Sequence, residues 1–389
     1  MEIPMFEQTA VFERGIGEAT DVVEKELFRI APRTEDSESW ALRPEATAGI
    51  VRAFVQHGMH TLPQPVKLTV VGPMFRYDRP QAGRYRQFWQ WDAEVIGDPG
   101  PAVDAEVIEM GRRFYVEAGV PDVQVLINSI GDAACRPAYL ATLREYFSRH
   151  AAELPELERR RLELNPLRLL DSKDPAMAAL VAAAPRISDH LCEACAAHFA
   201  SVRAHLDACG VAYRVEPTLV RGLDYYARTA FEYYRHGAEG QQQALGGGGR
   251  YDGLVELLGG RATPAIGFAL GLDRVLLALE EVGAEAVHEV SPLAVVAGAD
   301  PADTVTRLRV ASLLRAEGLS VRAELAPRKL GRQLETASKE HAHFAVIIGD
   351  ELAEGNVQLK DLEAGTQRLV PLADLARELA RAAKSHHHG

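Results

Sequence analysis

The chain has 389 residues, 47% hydrophobic and 25% charged, which is ordinary globular composition and excludes collagen-like, wholly disordered and disulfide-scaffold classes. Its net charge of −12 argues against a uniformly basic nucleic-acid coat but leaves room for a local basic groove. The longest apolar stretch, Ala176 to Ala184, falls far short of the ~18–20 residues that cross a bilayer. The opening residues do not read as a leader, and four cysteines without framework spacing fit a reducing compartment, so a cytoplasmic protein with no membrane partner is expected.

No solenoid or propeller period repeats along the chain. Val66–Tyr77 and Arg86–Ile96 are rich in β-branched and aromatic residues and read as strands, joined through Asp78–Tyr85, where Pro80 and Gly83 suit a hairpin loop. Helical periodicity follows from Ala102 to about Ala118. From Asp132 to Leu206 there is little strand character, which predicts a mostly helical insertion, 132–209, between two parts of one core, 1–131 and 210–283. Strand signals return at Thr229–Tyr234 and Ala262–Leu270, with a helix from near Asp273. After a boundary at 283–291 the texture changes. Leu293–Ala297, Asp300–Ala316, Leu319–Ala323, Arg328–His341 and Phe344–Ile348 alternate strand and helix, which predicts a second domain, 291–384, with a helix-covered parallel sheet. Lys384–Gly389 is set outside that fold as a tail.

Several short segments carry chemistry. Arg76 closes a strand, where a guanidinium can lay its planar fork on a phosphate or a carboxylate. Arg79, Arg84 and Arg86 crowd the same hairpin, which also fits a solvated edge whose charges deter aggregation. Gln90, Asp92 and Glu94 alternate with Trp89, Trp91 and Ala93 and so share one face, as in a lined pocket or a sheet wetted on one side. Glu45 and Thr47 follow Pro44 at the start of a helix expected to run to about His60, with an acid favourably placed in its first turn. Arg221–Tyr226 packs a cation, an acid and the phenols Tyr225 and Tyr226 into one short segment, which an ion pair beside a buried tyrosine pair would equally explain. Gly246–Gly249, ahead of Arg250 and Tyr251, permit close backbone approach or a sharp turn, and no G-K-[ST] follows to make a P-loop. Cys192-x-x-Cys195 with His198 and Cys209 invites a zinc reading, but the segment reads as one helix. A structural zinc site brings ligand pairs from separate elements, so buried thiols are expected instead.

Taken in order, L-R-P-E-A-T-A-G, G-P-M-F-R-Y-D-R-P-Q-A-G-R-Y-R-Q-F, R-G-L-D-Y-Y, G-G-R-Y-D-G-L and G-F-A-L-G-L-D-R together resemble the histidyl-tRNA synthetase family of class II aminoacyl-tRNA synthetases. The resemblance runs from about Pro4 over almost the whole chain. It implies an α+β fold: an antiparallel-sheet catalytic domain with a helical insertion, plus a C-terminal α/β anticodon-binding domain. It further implies ligation of L-histidine to its tRNA, with ATP as substrate, Mg²⁺ as cofactor and histidyl-adenylate as intermediate.

By the same resemblance Arg76 grips the α-phosphate and the histidine carboxylate, Arg274 the γ-phosphate end of ATP, and Arg221 the α-phosphate, with Arg84 also on ATP. Glu94 and Tyr226 would face the imidazole with Tyr225 beside them, and Glu45, Thr47 and Gln90 would face the α-ammonium. Arg79 and Gln81 would meet the tRNA acceptor end, while Arg328, Lys329, Arg332 and Lys339 either touch tRNA phosphates or form a solvated helix face. The family usually carries a further segment before Pro4, with the motif-1 helix that pairs subunits; a homodimer is expected from the family, and the core's first part is expected to be N-terminally incomplete. Ala46 stands where the family more often has glycine, and Trp89 where histidine is common. A non-catalytic relative that regulates the first enzyme of histidine biosynthesis is the alternative, disfavoured by Arg221, Arg274, Glu45 and the full C-terminal domain.

Overall fold

The computed structural model describes residues 1–16, 20, 22–32, 34, 38–79, 83–120, 122–172, 174–220, 225–235, 244–283 and 291–386. They fall into two compact units, Met1–Ala284 and Glu285–Gly389.

The first unit opens with β1 (Phe6–Gln8), α1 (Thr9–Ile16), β2 (Arg29–Ile30), β3 (Trp40–Leu42) and α2 (Thr47–Gln56). The hairpin β4 (Val66–Phe75) and β5 (Gln87–Ile96) follows, then α3 (Pro101–Glu117) and β6 (Val123–Ser129). Four helices come next: α4 (Arg136–Arg149), α5 (Glu156–Leu164), α6 (Ala178–Ala183) and α7 (Glu193–Ala208). The unit closes with β7 (Tyr213–Val215), β8 (Ala227–Arg235), β9 (Gly246–Arg250), α8 (Leu254–Leu257), β10 (Ala265–Gly271) and α9 (Leu272–Glu281).

Among the described residues the main sheet runs β4-β5-β10-β9-β8-β6-β7, antiparallel except for the β6–β7 pair. Its interior face packs on α3 and α7 through Val107, Ile108, Tyr115, Val202, Leu206, Phe231 and Phe268. Trp91 is part of that packing, edge-on to Phe114 and Phe268 at 4.8 and 5.1 Å between ring centres. The expected 132–209 insertion is helical, but its last helix belongs to this core. The earlier part, around Tyr139, Leu143, Phe147, Met177 and Leu180, gathers in a second cluster that also takes in Ile130, Val220, Tyr226 and Ala230. The helix expected to reach His60 stops at Gln56, because Gly58 takes a left-handed φ of 59° and ends it before a single 3₁₀ turn, Met59–Thr61.

The second unit contains β11 (Ala294–Gly298), α10 (Thr304–Ala316), β12 (Val321–Ala323), α11 (Leu330–Lys339) and β13 (Phe344–Ile348), with the three strands parallel as the alternation predicts. Two further strands, β14 (Asn356–Asp361) and β15 (Gln367–Pro371), extend the sheet antiparallel beyond β13. The edge strand β15 keeps only Val370 buried, so it carries little apolar alternation to read. The last helix, α12 (Leu375–His386), continues into the segment set aside as a tail.

Candidate active site

A cavity of about 880 Å³ opens on the other face of the main sheet. Its floor is β5, β10, β9 and β8, and its lining includes Glu45, Thr47, Arg76, Arg84, Gln90, Glu94, Tyr225, Tyr226 and Arg274. Of the residues singled out in sequence, these nine converge. Arg221 and Gln81 lie outside the described residues. Arg79 is exposed and is not among the lining residues.

The acidic end is built from short side chains above a glycine floor. Glu94, on β5, is 1% exposed and accepts from Thr47 Oγ1 and Tyr251 Oη, each at 2.5 Å. Burial, against those two hydroxyls and reinforced by nearby Glu45, pushes Glu94 up to about 8. A Cβ on Gly267 would sit 1.6 Å from Glu94 Oε2, and one on Gly249 would sit 2.7 Å from the Tyr226 ring, so only glycine lets the carboxylate and the phenol settle on the strands. The glycine run is therefore a strand under the site and not a turn. Glu45 caps α2: its two oxygens accept from the Thr47 and Ala48 amides at 2.8 Å, and burial still raises its pKa. The Tyr225 and Tyr226 rings pack tilted by 58° at 4.6 Å between ring centres. Burial, with Tyr226, Glu45 and Glu94 nearby, holds Tyr225 neutral far above the usual phenol range. Gln90 Oε1 is buried with no hydrogen-bond partner among the described residues, an acceptor left for a ligand.

The cationic end gathers guanidiniums from distant parts of the chain. Arg76 follows β4, donates from Nε to Pro44 O at 2.9 Å and lies over Phe88 at 5.4 Å, beside Glu45. Arg274, near the head of α9, donates from Nε to Gly83 O at 3.1 Å and from Nη1 to Ala244 O. Arg84 is held by Asp78 at 3.0 Å. Burial, then the charges of Arg84 and Arg76, lower Arg274 from its ordinary value. Like charges placed this close call for an anion between them. Asp273 fixes the hairpin to α9 by accepting from the Trp89 amide at 2.7 Å.

Two residues named in the sequence were given no place in the site. Tyr251 sits inside the quoted G-G-R-Y-D-G-L segment, and strand alternation turns it toward Glu94 while Arg250 turns to the opposite side. Asp92 shares the Gln90–Glu94 face but is fully buried, and neither of its oxygens has a hydrogen-bond partner among the described residues. Burial, with Glu94 and Glu45 nearby, keeps it neutral well above the carboxylate range. On the other side of β9, Arg250 pairs with Asp104 of α3, and His198 Nε2 meets the same carboxylate at 2.8 Å.

An antiparallel sheet with an arginine at its hairpin, another at the head of the following helix, and an α/β unit beyond defines a class II aminoacyl-tRNA synthetase. The histidyl-tRNA synthetase family description matches residues 1–275, and an anticodon-binding-domain description matches residues 293–382. The chain belongs to the histidyl-tRNA synthetase family. It is 44% identical to the histidine–tRNA ligase of Desulforudis audaxviator over 382 residues, covering 98% of this chain and 90% of that protein. Identity to the Anaeromyxobacter dehalogenans histidine–tRNA ligase is 47% over 380 residues, 97% and 90% of the two chains. The crystal structure of the apo Staphylococcus aureus histidyl-tRNA synthetase superposes with a TM-score of 0.79 at 35% identity, covering 97% of this chain and 90% of that one.

Proposed function

We infer that the chain activates L-histidine with ATP and transfers it to its tRNA. The observation that carries this is the division of one cavity into a cationic end, with Arg76, Arg84 and Arg274, and a neutral acid–phenol end, with Glu94, Tyr225 and Tyr226. A triphosphate fits the first and an imidazole the second, and Arg76, beside Glu45, stands where the two substrates meet.

Adenylate formation is attack of the histidine carboxylate oxygen on the α-phosphorus, with pyrophosphate leaving. The nucleophile is already ionised, so the protein's work is positioning and charge neutralisation. Arg76 holds the attacking carboxylate and the α-phosphate together, Arg274 and Arg84 grip the phosphate tail, and Arg221 adds charge at the α-phosphate. Glu94 and Tyr226 hydrogen-bond the ring nitrogens, with Tyr225 packed on Tyr226, while Glu45, Thr47 and Gln90 hold the ammonium. Such a pocket leaves its own polar groups unpaired when the wrong side chain enters, which gives discrimination of ~10⁴ or more without editing. Mg²⁺, an oxygen-seeking ion, would supply charge to the triphosphate, and the buried Glu232 carboxylate in the lining, which accepts from Tyr234 Oη, is the group that would hold it. The hairpin residues Arg79 and Gln81 meet the acceptor end, and the 293–382 unit reads the anticodon. A cytoplasmic homodimer fits this work; among the described residues no helix is long and apolar enough to cross a membrane.

ATP–pyrophosphate exchange with each standard amino acid tests the reading. Exchange with histidine alone is expected; no exchange from folded protein would favour the non-catalytic regulatory relative.

A further inference from the structure

The residues grouped by the sequence-based zinc reading do not meet. His198 is turned to Asp104, and Cys209 lies exposed at the opposite end of α7 from Cys192. The structure assembles a different set. Asp132 and Cys135 precede α4, Cys192 and Cys195 open α7, and one donor atom from each lies within 4.8 Å of every other. These are two x₂-spaced ligand pairs on separate elements, the pattern of a closed four-coordinate zinc site. With Zn–S bonds of ~2.3 Å, tetrahedral sulfurs stand ~3.8 Å apart, so the donors need to draw in by no more than about 1 Å.

The surroundings are arranged as a metal's would be. Asp132 Oδ2 is taken by Arg228, whose Nε and Nη2 both donate at 3.3 Å. That turns Oδ1, which accepts from the Ala134 amide at 3.0 Å, toward Cys135 Sγ at 3.7 Å. Outer partners orient metal-binding carboxylates in this way. Arg228 reaches its position through a left-handed φ of 53°, where β8 shifts register against β9 between Ala227 and Ala230. A bulge commonly re-aims a side chain, and here it supplies a cation beside a ligand set whose charge exceeds that of a divalent ion. Cys135 and Cys192 are the N-cap residues of α4 and α7, so both sulfurs stand where a helix begins. Thiolates select zinc over the magnesium or calcium that all-oxygen sites prefer.

We propose that Asp132, Cys135, Cys192 and Cys195 form a structural zinc site that clamps the two ends of the helical segment 136–191. None of the four lines the cavity. The clamp nevertheless reaches it. Arg136, next to Cys135, donates from Nη2 to the Tyr226 carbonyl at 2.6 Å, so the ligand loop braces the tyrosine pair just ahead of β8.

The test is metal analysis of the full chain, purified reduced and without chelators from zinc-supplied cells. One zinc per chain is expected. Replacement by Co²⁺ should give the intense visible bands of a tetrahedral site together with thiolate-to-cobalt charge transfer. The double variant Cys135→Ser, Cys192→Ser should lose both the zinc and the bands, whereas Cys209→Ser should keep them. Asp132→Asn should shift the cobalt spectrum while leaving the charge transfer. Chelation should lower the thermal midpoint of the wild type and leave that of the double variant unchanged. Wild-type protein with only background zinc and no cobalt bands would overturn the proposal without recourse to any variant. A Cys192–Cys195 disulfide in freshly isolated protein, or iron in place of zinc, would overturn it as well.

Discussion

Two buried carboxylates lie on opposite sides of the strand end at Arg250 and Tyr251, and the sheet treats them oppositely. Asp104 has a cation: Arg250 grips it, His198 meets it at 2.8 Å and Thr229 at 2.5 Å. Burial would raise it, but His198, Arg250 and Thr229 together hold it below the usual aspartate value. Among the described residues Glu94 meets only hydroxyls, from Thr47 and Tyr251, and burial takes it up to about 8. A fully partnered buried charge belongs to the foundation. A buried acid with neutral donors and open space in front of it is held ready for a ligand that completes its hydrogen bonding.

Removing the cation tests the first half of that contrast and should have the largest effect. Arg250→Met keeps the bulk but takes the guanidinium from Asp104 and leaves it only His198 and Thr229, with an expected loss of roughly 3–5 kcal/mol in denaturant unfolding. A loss under about 1 kcal/mol would mean that His198 and Thr229 suffice for Asp104. The second half predicts a different failure for Glu94→Gln. The fold should persist, while histidine-dependent pyrophosphate exchange falls by ~10² or more and ATP binding changes little. Equal damage to both substrates would make Glu94 a structural residue.

The pH dependence sharpens the same pair. Glu94 is raised from 4.5 to about 8 on folding, so between those values the folded chain keeps a proton that the unfolded chain sheds. Its contribution is therefore most favourable below the unfolded value and declines as pH rises toward about 8. Glu94→Gln should flatten that part of the stability profile in thermal melts. Histidine affinity should move the other way, strengthening as pH approaches about 8, since an imidazole N–H donates best to the ionised carboxylate. Glu94→Gln should lose that rise.

Much of this contrast was legible in the chain. The alternation Gln90-Trp91-Asp92-Ala93-Glu94 reads as a polar face and the strand-end arginine as a candidate anion site; Gln90, Glu94 and Arg76 all line the cavity. What stayed hidden follows from how the signals work. Four glycines have the lowest strand propensity, so β9 read as a loop, and without a strand the opposed directions of Arg250 and Tyr251 could not be assigned. The sequence reads Glu45 as a first-turn acid, but α2 begins at Thr47 after the N-cap residue Ala46, and Glu45 lies ahead of both and reaches forward to the Thr47 and Ala48 amides. Asp132 and Cys135 lie far along the chain from Cys192 and Cys195, so no local spacing could join them. Helix periodicity likewise could not show that α7 leaves the insertion to pack on α3, since an apolar stripe does not name its partner.

Tyr251→Phe is the mildest change and the one that separates the hydroxyl from the ring. Tyr251 is 1% exposed and donates to Glu94 Oε2 at 2.5 Å, while its ring packs edge-on against Tyr225 at 5.7 Å. The variant keeps the ring packing, so the thermal midpoint should hardly move. In the ligand-free protein Glu94 is protonated at neutral pH, and losing one neutral donor costs it little. With histidine bound the carboxylate must carry charge, and a hydrogen bond to a charged group is worth ~1.5 kcal/mol or more. The KM for histidine should therefore rise ~10-fold with little change in the KM for ATP, and the pH at which histidine affinity levels off should move upward. An unchanged pH profile would show that Tyr251 packs beside Glu94 without setting its ionisation, and the contrast with Asp104 would then rest on burial alone.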